Sequence, residues 1–379
     1  MYFVSKPEID APFKSAPLLA PAAAAPEAHR YFINAPTDFL SIGGLSIFLL
    51  AALSYLFPSA HPVPDQLYRF STALLWLGNW PHFAASSYRL YHTRSNIEQY
   101  PLTALWVPLV VLTGVIASLA SPYVLGPFFV KLYLIWSPFH YSGQSLGISL
   151  IYARREGFLF GKLERWSLTG FIFGTFLAAN ARAETSLQMR SFYGILYPGF
   201  GMPTFVADAL TWAMYACGTV FILCALRWSI RNRRALPLMV GLPAIAQFAW
   251  FVIGNSIPSF NAFVPFFHSL QYLLIAWAMQ MKEAMQEKEA QPSGNFVFSE
   301  TAWWSLGIFL GGILLFWVLP RVGTLAGIDL NIAEPIIIAG VQIHHFFVDG
   351  VIWKLRNPKV RSPLLVNIED LIRRPIPAI

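Results

Sequence analysis

The sequence contains few charged residues. Asp, Glu, Lys and Arg make up 12% of the 379 residues, whereas hydrophobic residues make up 56%. A soluble domain carries about 25% charged residues on average, so this composition excludes a set of ordinary soluble domains. Long apolar stretches recur between residues 39 and 353. They predict an all-α protein, a polytopic transmembrane helical bundle.

Cysteine is nearly absent as well. Cys217 and Cys224 are seven residues apart in one apolar stretch, which places them on one helical face. This spacing argues against a structural disulfide and indicates two core thiols. Neither cysteine accompanies the histidines described below, which disfavours iron–sulfur clusters and structural zinc.

Acidic residues are fewer than basic ones, and the net charge is +7. In a soluble protein such a charge would suggest nucleic acid as a partner. Here 21 of the 26 Lys and Arg residues fall in the two tails or after even-numbered apolar stretches, on one side of the predicted membrane. The positive-inside rule explains this asymmetry. We therefore expect no nucleic-acid partner, a position in the bacterial inner (cytoplasmic) membrane, and both termini in the cytoplasm.

About ten stretches are long enough to cross a hydrocarbon core of roughly 30 Å. They lie at about 39–57, 67–92, 102–120, 124–153, 166–181, 204–226, 236–257, 260–281, 301–319 and 333–353. Three regions follow from this pattern: a disordered cytoplasmic tail over 1–37, a transmembrane domain over 38–354, and a cytoplasmic tail over 355–379. The last region includes an interfacial amphipathic helix.

His92 marks the cytoplasmic end of span 2, and five further histidines are embedded in spans 2, 4, 8 and 10. They are His82, His140, His268, His344 and His345. The four spans run in the same direction, so depth can be compared by counting residues to the first basic residue at the cytoplasmic end. At about 1.5 Å per residue, the histidines lie about 10 to 21 Å from that boundary. The shared depth predicts that four helices bring imidazoles to one site.

Buried imidazoles need partners, and one divalent transition metal can satisfy several of them. We therefore predict that these histidines bind a metal. His344 and His345 point about 100° apart on a regular helix, so one of them is the ligand, and we slightly favour His344. Gln144, Gln271 and Asp349 follow the histidines at helical spacing. We predict that they orient the ligands by accepting the second ring N–H.

Structural alternatives remain open for single residues. One buried histidine by itself more often bonds a neighbouring helix than a metal. Asp349 could equally form an ion pair with Lys354 or Arg356 near the membrane surface.

A shell of imidazoles with few carboxylates suits non-haem iron or copper, with zinc as a further candidate. Haem is less favoured, because the arrangement of two histidines about a dozen residues apart on each of two helices is missing. We predict a membrane non-haem iron oxygenase that acts on a lipophilic substrate from the surrounding lipids, with an electron donor as a candidate partner.

The segments "PHF", "HYSGQ", "HSLQYL" and "HHFFVDGVIWK" resemble those of a group of bacterial multi-span membrane proteins. More distantly, they are similar to the Brp/Blh membrane β-carotene 15,15′-dioxygenases. This resemblance implies a helical bundle that holds one non-haem iron by histidines from separate helices, and the oxidative cleavage of an apolar polyene. It implies His82, His140, His268 and either His344 or His345 as the ligands.

Two other functions use the same histidines. The protein could be a metal-ion or proton transporter, although few polar residues continue into the outer half of the spans. It could also be a haem-binding subunit of a larger membrane redox complex, which an absorption spectrum would reveal. The sequence does not predict an oligomeric state.

Overall fold

The computed structural model describes residues 30–57, 64–287 and 294–353, and these are almost entirely helical. The helices are α1 (Ala35–Leu56), α2 (65–91), α3 (Arg94–Gln99), α4 (Leu102–Ala120), α5 (Gly126–Arg155), α6 (Lys162–Ala183), α7 (Thr204–Asn232), α8 (Leu238–Ser256), α9 (Val264–Glu287), α10 (Gly294–Leu325) and α11 (Leu330–Ile352). One antiparallel hairpin between α6 and α7 pairs β1 (Arg190–Phe192) with β2 (Ile195–Tyr197). The predicted all-α class is confirmed.

Seven of these helices are long and apolar enough to cross a membrane: α1, α4, α7, α8, α9, α10 and α11. The other three predicted spans lie on α2, α5 and α6, which are long but carry more polar and charged side chains. Two of them, α2 and α5, carry His82 and His140. Inward-facing polar groups thus lower the apolar content of the helices that bear candidate ligands. A total of ten spans stays a prediction.

The ordered bundle begins before the predicted boundary at residue 37. Phe32 is completely buried, and its backbone N–H donates to the carboxylate of Asp38 at 2.6 Å. The hydroxyl of Tyr152 on α5 donates to the same carboxylate at 2.7 Å. These bonds attach the chain before α1 to the bundle. The predicted disorder over 1–29 and the predicted interfacial helix after residue 353 lie outside the described residues.

A π-helical turn over 75–79 interrupts α2 just before the site. Its cause lies in Pro81, which has no N–H and whose ring crowds the carbonyl of Leu77 four residues earlier. The wider turn accommodates that ring and places one extra residue in α2. The direction of every later side chain on α2, including His82, changes accordingly.

Helix α10 then fixes α2 at this level. A Cβ atom at Gly312 would lie 2.8 Å from the carbonyl carbon of Trp80, so a glycine is needed for the helices to approach this closely. The rings of Trp80 and Phe316 stack beside it, with centroids 5.6 Å apart. The backbone two residues before His82 is therefore held tightly.

Helix α11 occupies the interior of the bundle. It is 72% buried over its apolar span, compared with 17% for α7 and for α10. It contacts α2, α4 and α5. Side chains on different faces of α11 can therefore reach two site-bearing helices, α2 and α5, without meeting lipid.

Candidate metal centre

Three imidazoles and one carboxylate meet between α2, α5 and α11. The Nε2 atom of His345 lies 2.8 Å from Nε2 of His82 and 3.2 Å from Nε2 of His140. The Oδ2 atom of Asp349 lies 3.4 Å from Nε2 of His345, 3.6 Å from that of His140 and 4.0 Å from that of His82. All four donor atoms lie within 4.8 Å of one another.

Hydrogen bonds between histidines do not account for this arrangement. A single Nε2 atom either donates one proton or accepts one in the plane of its ring, so Nε2 of His345 cannot bond well to both neighbours. A shared cation can satisfy all of them. Metal–nitrogen bonds of about 2.1 Å at angles of 90° to 109° place neighbouring donor atoms roughly 3.0 to 3.4 Å apart. The observed separations between the donor atoms extend from below this range to above it. The four side chains could therefore hold a metal ion.

The group is isolated from solvent. His82 and His345 are 0% and 2% exposed, and Asp349 is 7% exposed. Burying a carboxylate among uncharged rings is costly unless a cation or hydrogen bonds compensate it. A cation at the convergence point would supply that compensation.

Ser86 orients the carboxylate of Asp349. Its hydroxyl donates to Oδ1 of Asp349 at 2.7 Å, which leaves Oδ2 facing the histidines. The same hydroxyl is hydrogen-bonded to the hydroxyl of Tyr272 at 2.5 Å, and the ring of Tyr272 stacks on that of His82 with centroids 4.1 Å apart. We did not predict Ser86 from the sequence. The sequence feature that could have indicated Ser86 is its position four residues after His82, since Asp349 likewise lies four residues after His345.

His268 lies beside the group without joining it. Its ring centroid is 5.0 Å from those of His82 and of His140, and the ring stacks on Tyr141 at 3.9 Å. It is 1% exposed, and neither ring nitrogen has a hydrogen-bond partner among the described residues. The four helices predicted to converge therefore do so. The donor atoms of His268, however, are not among the four that meet.

His344 points away from the convergence point. Its Nε2 atom is 2.9 Å from the hydroxyl of Tyr91, and their rings stack in parallel. The structure thus places His345, and not the slightly favoured His344, among the converging atoms. The physical reason is the angle of about 100° between successive helical residues, which allows only one of the two to face α2 and α5.

The predicted orienting residues make different contacts from those expected. Gln144 donates to the backbone carbonyl of His268 at 2.9 Å, and Gln271 donates to the carbonyl of Ile42 at 2.5 Å. These amides join helices, and within the described residues neither has a hydrogen bond to an imidazole. Asp349 faces the converging Nε2 atoms and does not accept a second ring N–H. The Nδ1 atoms of His82 and His345 have no hydrogen-bond partner in the described parts of the chain.

An apolar cavity of about 290 Å³ adjoins two of the four residues, His140 and Asp349. His140, Asp349 and Tyr272 form part of its wall, and aromatic and aliphatic side chains of α5, α9 and α11 form most of the rest. The group of four residues therefore has an apolar space directly next to it.

No protein-family model matches the chain, and neither a curated protein nor a solved structure matches it. The function of this centre therefore has to be inferred from its own geometry.

Proposed function

We propose that the protein is an integral-membrane, non-haem iron oxygenase that acts on a lipophilic substrate. The observation that carries this proposal is the convergence of three histidine nitrogens and one aspartate oxygen within 4.8 Å, at the wall of an apolar cavity. Such a donor set is suited to a redox-active divalent metal, and an apolar space beside it is suited to a substrate that dissolves in lipid.

The donor set favours iron among the candidate metals. Histidines combined with one carboxylate are typical of non-haem iron(II) enzymes that use O₂, whereas copper sites rely more on imidazole and thiolate. Zinc accepts the same donors as iron but has no redox chemistry with which to activate O₂. When bound, iron would supply the activation of O₂, which is the chemistry that an apolar substrate requires. Separations of 2.8 and 3.2 Å between Nε2 atoms also leave little room for a porphyrin between facing imidazoles.

The residues of the chain have separate tasks in this proposal. His82, His140 and His345 bind the metal together with Asp349, whose carboxylate is oriented by the hydroxyl of Ser86. The apolar walls exclude water and keep the substrate next to the donor atoms. Incorporation of both atoms of O₂ needs no external reductant. Incorporation of one atom requires an electron donor, whose two electrons and two protons reduce the second oxygen atom to water.

Two finer features belong to the same proposal. The basic residues on one side of the predicted spans support ten crossings of the bacterial inner membrane, with both termini in the cytoplasm. The resemblance of the histidine segments to membrane β-carotene dioxygenases supports one iron held by histidines from separate helices.

Metal analysis of the purified protein tests the proposal. We expect about one iron per chain, an absorption spectrum without an intense haem band, and loss of the metal in a His140→Ala variant. His92→Ala is the matched control, because His92 lies at the end of α2 with its ring near the carbonyl of Tyr88. A folded protein without metal, or equal metal in His140→Ala and wild type, would overturn the proposal. Flux of metal ions through proteoliposomes would instead favour a transporter.

A further inference from the structure

The cavity beside the group of four residues is a cleft between α5 and α11. His140 and Asp349 form part of its wall. The rest of the wall is mostly apolar, and it includes Trp136, Phe139, Ile148, Ile275, Phe346 and Trp353. A cleft that combines an apolar wall with a few polar groups is the usual form of a small-molecule site.

Glycines keep this cleft open. Gly143 and Gly147 on α5, and Gly350 on α11, all line it. A Cβ atom built at any of these three positions would meet no other atom within 4 Å. Gly312 differs, because a Cβ atom there would collide with the backbone of α2. The three cleft glycines therefore do not serve close helix packing, and their missing side chains leave space in the cleft.

The cleft has a direction along α5. His140, Gly147 and Ile151 lie at spacings of seven and four residues, which places them on one helical face, and all three line the cleft. The distance from His140 to Ile151 along the axis is about 16 Å at 1.5 Å per residue. The space is therefore long and narrow, because its volume of about 290 Å³ is at the lower limit for small-molecule pockets.

The side of the cleft opens at the surface of the bundle. Gly143 and Gly350 are exposed, and the neighbouring Phe139 and Phe347 are 49% and 38% exposed. On a spanning helix such apolar, exposed positions face lipid. A molecule dissolved in the bilayer could thus enter from the side without crossing water.

We propose that this cleft binds a single extended aliphatic chain that enters from the lipid phase between α5 and α11. The chain lies over Gly143 and Gly147, with one segment against His140. Fused-ring lipids such as sterols do not fit, because a narrow space can follow a flexible chain but not a rigid, wide one. That the bound segment is also the oxidised one rests on the function proposed above, whereas binding itself does not.

Photocrosslinking in lipid nanodiscs tests this proposal, with a saturated fatty acid that carries a mid-chain diazirine as the probe. We expect mass spectrometry to find labels on cleft residues of α5 and α11, and excess unlabelled fatty acid to reduce them. Gly147→Leu and Gly143→Leu each fill the open space and should lower this labelling at least about fivefold. Leucine favours a helix more than glycine does, so both variants should fold.

Gly307→Leu is the matched control. Gly307 is also an exposed helical glycine with no atom within 4 Å of a built Cβ, but it lies on α10 and does not line the cleft. We expect full labelling of the cleft in this variant. Equal labelling in Gly147→Leu and wild type would overturn the proposal, as would labels confined to lipid-facing surfaces. Stronger cleft labelling by a sterol diazirine than by the fatty acid would overturn it too.

Metal content separates this inference from the proposed function. Neither glycine variant changes a donor atom, so both should retain the metal of the wild type. Cleft labelling in a protein that binds no metal would support the chain-binding site and overturn the oxygenase proposal. Metal binding without cleft labelling would support the metal centre and overturn the chain-binding site.

Discussion

Asp349 follows His345 by one helical turn on α11, and its Oδ2 atom lies 3.4 Å from the Nε2 atom of that histidine. One rigid helical turn thus provides two of the four donor atoms. His82 on α2 and His140 on α5 provide the other two. A metal bound here would join three helices at one point, in addition to their packing and the hydrogen bond from Ser86 to Asp349.

Removal of the metal should therefore destabilise the bundle. A ligand that binds only the folded state at 100 times its Kd adds about 2.7 kcal/mol to the free energy of unfolding. We expect a chelator to lower the Tm of the detergent-solubilised wild type by several degrees. Asp349→Asn lacks the anionic donor and should show no such shift, whereas Asp208→Asn, at an exposed ion pair with Arg182, should behave as wild type. An identical shift in Asp349→Asn would contradict this role of Asp349.

The adjacent histidines should differ sharply when each is replaced. His345→Ala removes the nitrogen that lies between those of His82 and His140, so we expect bound metal to fall below about a tenth of the wild-type level. His344→Ala removes a contact with Tyr91 and should retain the metal, with a loss of stability of about 1 kcal/mol. Metal analysis and thermal unfolding of the two variants check this. The reverse pattern would favour His344 as the ligand.

Much of the architecture could be predicted from the sequence, because apolar length and histidine depth are properties of each helix alone. His82, His140, His268 and His345 were predicted to lie at similar depth, and their rings do lie together. Depth along a helix depends only on the rise per residue, which is nearly constant.

Rotation about the helix axis could not be predicted in the same way. The choice between His344 and His345 depends on which face α11 turns toward α2 and α5. The sequence of α11 alone does not contain that information. Pro81 accounts for the π-helical turn over 75–79, but the proline by itself does not tell how far that turn rotates His82 about the helix axis. Gln144 likewise bonds the backbone of a neighbouring helix, which no spacing within α5 could indicate.

Ser86 should tune the affinity for the metal without being a ligand. In Ser86→Ala the carboxylate of Asp349 loses its 2.7 Å hydrogen bond from the Ser86 hydroxyl and is oriented less firmly. Loss of such an orienting bond typically weakens metal binding about 10- to 100-fold. A chelator competition titration measures this change. Ser54→Ala is the control, because the Ser54 hydroxyl bonds a carbonyl of its own helix, that of Leu50. An unchanged affinity in Ser86→Ala would show that Asp349 does not need the Ser86 hydroxyl for its orientation.

His268 provides the sharpest test of the four-residue centre. Both of its ring nitrogens are buried and have no hydrogen-bond partner among the described residues, which costs roughly 1 to 3 kcal/mol for each unsatisfied group. Phenylalanine is similar in size, preserves stacking on Tyr141 and removes both nitrogens. We expect His268→Phe to retain the metal and to be at least as stable as the wild type. Loss of the metal would show that His268 turns toward the ion and acts as a ligand, which the resemblance to the dioxygenases implies. The unsatisfied nitrogens would then mark a ligand whose ring must rotate before it binds. Metal content and Tm of this one variant therefore decide between a centre of four residues and a centre of five.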